Sequence, residues 1–61
     1  MSQVYNPESA IIEEIERLAL EARDVRRRIE SARTPQDRKV MNRQLAELEE
    51  QISNLQNRLP H

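Results

Sequence analysis

Residues 33–37 read Arg33-Thr34-Pro35-Gln36-Asp37, and this stretch divides the chain into two halves. Thr34 is a good N-cap residue, Pro35 suits the first position of a helix, and Asp37 completes a Thr-x-x-Asp capping box. Proline also disfavours helical backbone at the residue before it. The sequence therefore predicts that one helix stops near Arg33 and that a second helix begins at Pro35.

The apolar residues of two heptad-spaced sets are mirror-symmetric about Pro35. The first half places them in alternating steps of four and three, at Ile11, Ile15, Leu18, Ala22, Val25 and Ile29. The second half repeats this spacing at Met41, Leu45, Leu48, Ile52, Leu55 and Leu59. Each residue of one set has a counterpart in the other at the same distance from residue 35. Because such steps form the apolar seam of a coiled coil, a chain folded back at residue 35 brings two seams face to face.

A single kinked helix is the alternative to this hairpin. In a continuous helix the second seam is two residues out of phase, about 200° around the axis, so the seams lie on opposite faces. The sequence therefore predicts an all-α fold, an antiparallel two-helix coiled-coil hairpin over residues 7–59. The helices are expected near 7–33 and 35–59, with the turn at 33–35. Residues 1–6 are expected to form a flexible segment that ends in an Asn6 cap, and residues 60–61 form the C-terminal end.

Two details of the hairpin stay open in the sequence. The chain has no Gly for the left-handed residue that often ends a helix, so Arg33 or Thr34 must accept that geometry or the turn must be looser. Beside the seam, the mirror pairing places Glu14 opposite Arg58 and Arg26 opposite Asn42. It brings no like charges together across the seam.

Composition argues against catalysis. The 61 residues include one Tyr and no Trp, Phe or Cys, which leaves little bulk for a compact mixed core and no thiolate chemistry. The single histidine, His61, is terminal, and nothing positions it. Carboxylates at useful spacing fall on a solvated helix face, where we expect nothing to desolvate them and shift their pKa as acid–base work requires. We expect no enzyme activity, no cofactor and no metal. With no apolar run of membrane-spanning length and no secretion signal, we expect a soluble cytoplasmic protein without membrane contact.

A lone hairpin of this size has a thin core, so the sequence also predicts self-association. Apolar residues outside the seam mark the expected docking face, and they are Ile12, Ala19, Leu20 and Ala46. A second copy bound there would complete a four-helix bundle.

Charge is separated along the predicted hairpin. Residues 23–43 carry a net charge of +5, residues 1–22 carry −4, and residues 44–61 carry −2. The turn end is thus positive and the open end negative, which favours an antiparallel dimer with the turns at opposite ends. The basic side chains that we consider as contacts for phosphates or for an acidic surface are Arg23, Arg26, Arg27, Arg28, Arg38, Lys39 and Arg43.

Two functions follow from these features. The first is a non-catalytic protein–protein interaction module, an adaptor, regulator or assembly component that acts on an unidentified protein partner through helix packing. The alternative is a nucleic-acid-binding regulator that grips phosphates with the basic turn end. A third possible function, a pocket for a small anion at the bundle centre, rests on the arginines alone.

In length and plan the chain resembles the small helical-hairpin dimers of the RNA-one-modulator type, which bind paired RNA loops in plasmid copy control. The resemblance is one of architecture, and no residue is carried over from it.

Overall fold

The computed structural model describes residues 7–60, which form two α-helices packed against each other as a hairpin. Helix α1 spans Pro7–Ser31 and helix α2 spans Pro35–Arg58. The predicted all-α hairpin with its break beside Pro35 is confirmed, and a continuous helix is ruled out. The predicted segment 1–6 with its Asn6 cap, and also residue 61, lie outside the described residues.

Helix α1 ends earlier than the sequence predicts. Helix α1 ends at Ser31, so the predicted end near Arg33 was two residues too late. The N–H of Ala32 donates to the carbonyl of Ile29 at 3.2 Å, which tightens the final turn towards 3₁₀ geometry. Thr34 then adopts an extended backbone, with φ −118° and ψ 149°, because Pro35 follows it. Since no residue from 7 to 60 has a positive φ, the turn is the looser kind that a Gly-free chain can form.

Helix α2 begins at the predicted cap. The Oγ1 of Thr34 accepts a hydrogen bond from the N–H of Asp37 at 3.1 Å, and Pro35 occupies the first turn. The helix ends at Arg58, one residue before the predicted end, because Leu59 precedes Pro60 and is extended, with φ −77° and ψ 142°. The two residues that flank α2, Thr34 and Leu59, therefore each lie directly before a proline.

The core is one thin seam between the helices. Its buried residues are Leu18, Ala22 and Val25 from α1 and Leu48 from α2. Half-buried side chains extend it in both directions, and those packed against the buried four are Ile29, Met41, Leu45, Ile52 and Leu55. All twelve residues of the predicted seams are buried or half-buried. No polar side chain is buried among residues 7–60, so the seam is held by apolar contact alone.

A charge at the centre of this seam tests its role. Leu48 is 8% exposed, and Leu48→Asp would place a carboxylate in the apolar seam between the helices. We expect a loss of about 3 kcal/mol or more in the free energy of unfolding, seen as a collapse of the helical signal in circular dichroism. The matched control is Val40→Asp at a position that is 64% exposed, and it should keep native helicity. Equal unfolding of both variants would contradict the seam.

Candidate functional site

The four docking residues expected from the sequence, here called the apolar flank, are Ile12, Ala19, Leu20 and Ala46, and all four are exposed. Ile12 is 45% exposed and Leu20 is 63% exposed, which is high for large apolar side chains. Together with Val40 they are the exposed large apolar residues of the described chain. The flank is therefore accessible to a partner over its whole length.

An ion pair shows how the two helices meet beside the apolar flank. Nη2 of Arg26 lies 3.9 Å from Oε2 of Glu49, which links α1 to α2. Arg26 is one heptad after Ala19, and Glu49 is three residues after Ala46, so the pair places these two alanines on the same side of the hairpin. The mirror pairing had set Arg26 opposite Asn42, but its long side chain reaches Glu49 instead. Both partners are more than half exposed, so the pair adds little to stability.

On α1 itself, Arg17 connects two carboxylates. It donates hydrogen bonds to both carboxylate oxygens of Glu14, and its Nη1 lies 2.9 Å from Oε1 of Glu21. Glu14 is thus engaged within its own helix, although it also borders a groove of about 280 Å³ that Arg58 lines from α2. The hydrogen bond from Arg17 lowers the pKa of Glu14, and the same contact raises the pKa of Arg17.

A concave site at the turn, here called the turn groove, has a volume of about 430 Å³. The side chains around it are Arg27, Arg28, Ser31, Ala32, Arg33, Asp37 and Met41. Three arginines thus line the groove together with the half-buried Ala32 and Met41, a combination suited to an anionic group that carries an apolar portion. Asp37 is the acidic residue in this lining.

Most of the predicted basic residues are distributed over two grooves and an ion pair. Arg27 and Arg28 line the turn groove, whereas Lys39 and Arg43 line a second groove of about 250 Å³ with Gln36 and Val40 on α2. Arg26 is paired with Glu49, and Arg23 and Arg38 line neither groove. Sequence reasoning did not select Arg33 as a contact residue. Its position two residues before Pro35 could have indicated this role, because a residue so close to the break lies at the turn.

The part of the chain that the structure describes has no candidate metal site and no membrane-spanning helix. No group of three or more His, Cys, Asp or Glu residues between positions 7 and 60 could hold a metal ion. Neither α1 nor α2 is apolar enough over a sufficient length to cross a membrane. The chain matches no protein family, no curated protein and no solved structure. The features of this chain that bear on function are therefore its apolar flank and its turn groove.

The pKa of Glu14 tests the carboxylate contacts. We expect NMR titration of its side-chain carboxyl to give a pKa below the ordinary value of 4.5 and Arg17→Gln to raise it towards 4.5. Because the pKa of Glu14 is lower in the folded than in the unfolded chain, its contact with Arg17 stabilises the folded state at pH values above the unfolded pKa. This contribution is lost as the pH falls through the folded pKa. Arg23→Gln removes an equal charge and should leave the Glu14 pKa unchanged. A native pKa at or above 4.5 would contradict the contact.

Proposed function

We propose that this chain is a non-catalytic protein–protein interaction module that acts through helix packing, in the cytoplasm, as an adaptor, regulator or assembly component. One observation carries the proposal: Ile12 and Leu20 are exposed beside a core of only four buried residues. Burial of such side chains against a partner is worth about 1.5–3 kcal/mol each, a large contribution next to so thin a core.

The first partner in this proposal is a second copy. Two hairpins that meet along the apolar flank give each helix two neighbours, as in a four-helix bundle, and the heptad spacing of both seams supports antiparallel coiled-coil packing within each hairpin. Charge supports turns at opposite ends, because residues 23–43 carry +5 while residues 1–22 and 44–61 carry −4 and −2. An arrangement with both turns at one end would place two positive ends together.

Particle mass tests this function. We expect the native chain to have twice the mass of a single 7.2 kDa chain in sedimentation equilibrium, and Leu20→Asp to shift the distribution towards one chain. Val40→Asp, which changes a side chain of nearly equal exposure outside the apolar flank, should keep the native mass. A native chain that has the mass of one copy even at millimolar concentration would refute self-association.

The turn groove supports a second candidate, a regulator that binds nucleic acid. Arg27, Arg28 and Arg33 line this groove, and guanidinium groups bind phosphates through paired hydrogen bonds. No aromatic side chain lines the groove, so stacking with single-stranded bases has no support and duplex phosphates are the better match.

Salt dependence distinguishes the second candidate from the first. If the turn groove holds duplex phosphates, the affinity for duplex RNA or DNA falls steeply as salt rises, and Arg27→Gln with Arg28→Gln lowers the log–log slope by about two. Arg17→Gln with Arg58→Gln removes the same charge away from the turn and should leave that slope nearly unchanged. If neither duplex binds at low salt, the nucleic-acid candidate is eliminated.

A further inference from the structure

The outward side of α1 carries a second heptad-spaced series, here called the charge-reversing stripe. Its members are Glu13, Glu16, Leu20, Arg23 and Arg27. Steps of three and four residues keep them on one face of the helix, and all five side chains are exposed. Along this stripe two acids precede the leucine and two bases follow it. The sign of the charge therefore reverses about Leu20.

The charged members of the stripe have no ion-pair partner among residues 7–60, unlike others on the same helix. Arg17 is engaged by Glu14 and Glu21, and Arg26 is engaged by Glu49. Within the stripe, like charges are neighbours: the two acids are three residues apart and the two bases are four residues apart, which is mildly unfavourable in an isolated helix. A partner that supplies opposite charges would relieve both repulsions.

We propose that the charge-reversing stripe is the contact between two copies, with α1 antiparallel to α1 of the partner and the two-fold axis near Leu20. This geometry sets Glu16 against the partner's Arg23 and Glu13 against the partner's Arg27, and each pair occurs twice. Leu20 packs on its own counterpart at the centre. The inference rests on the proposed self-association and takes only Leu20 from the apolar flank. Because the stripe lies on the side of α1 away from α2, the two copies meet through α1 alone, and not as the four-helix bundle in which each helix has two neighbours.

The charge order identifies a second copy as the occupant. In a two-fold contact the same surface meets itself in reverse, so a series that changes sign at its centre is complementary to itself. An alignment of the same stripes in parallel would pair acid with acid and base with base. The exposed Val40 offers a contrast, because its groove is lined by Lys39 and Arg43 and by no acid. Two copies of that groove would bring four bases together.

Crosslinking tests the position of the axis, and the absence of Cys from the chain gives a clean background. We expect the full-length Leu20→Cys variant to form a disulfide-linked dimer on mild oxidation, since residues on the two-fold axis come within disulfide reach. The Val40→Cys variant has a cysteine at a similarly exposed site and should remain largely monomeric on denaturing gels. Equal crosslinking of both variants would overturn the inference.

Failure of this inference can be told apart from failure of self-association by measuring the native mass. A native dimer whose Leu20→Cys variant does not crosslink contradicts the stripe and leaves self-association standing. A native monomer contradicts both. A native dimer that crosslinks through Leu20→Cys and not through Val40→Cys supports both.

Charge reversal tests the pairing itself. Glu16→Arg alone and Arg23→Glu alone each replace two attractions in the dimer by two repulsions, and we expect dimer affinity to fall about tenfold or more. An equimolar mixture of these two variants should restore affinity as a heterodimer, and the double variant should restore the homodimer. Glu47→Arg, an equal charge change at an exposed site on α2, should have little effect. If the mixture and the double variant stay as weak as the single variants, the pairing is refuted.

Discussion

The packing of Leu18, Ala22 and Val25 against Leu48 holds this hairpin together, and the rest of the molecule depends on it. Two helices share only one interface, so no second layer exists to bury the remaining apolar side chains. Ala22 is the most buried residue, 1% exposed, and its small side chain lets the two helices approach closely at the middle of the seam. A core of this size leaves little stability in reserve, which gives any additional contact surface a large effect.

Two prolines set the limits of α2. Each forces an extended backbone at the preceding residue, so the helix lies between Thr34 and Leu59 without any glycine. The first of these boundaries also shapes the turn groove. Because α1 ends at Ser31 and the chain crosses to α2 within three residues, Arg33 lines the same groove as Arg27, Arg28 and Met41. The boundary between the helices thus also brings basic residues to a partly apolar groove.

The sequence was sufficient for the fold and for the core. The period of the apolar residues predicted every buried position, because burial in a hairpin depends on which face of each helix is apolar. The end of α1 was less predictable, since the local bond from Ala32 to Ile29 competes with one more turn of helix. The ion-pair partners of long charged side chains could not be predicted from the sequence either. The mirror pairing set Arg26 opposite Asn42, but a long exposed side chain can reach several neighbours, and the packed helices show the contact with Glu49.

The proposed contact surfaces require a hairpin that is closed within each subunit, and a distance between spin labels at its open end tests this closure. Labels on Ala10→Cys and Asn57→Cys occupy exposed positions near the start of α1 and the end of α2. With labelled chain diluted in unlabelled chain, a closed hairpin gives a separation below about 25 Å, because packed helices lie about 8–10 Å apart. A separation near 70 Å, the length of about 47 helical residues, would show an open rod and refute the hairpin.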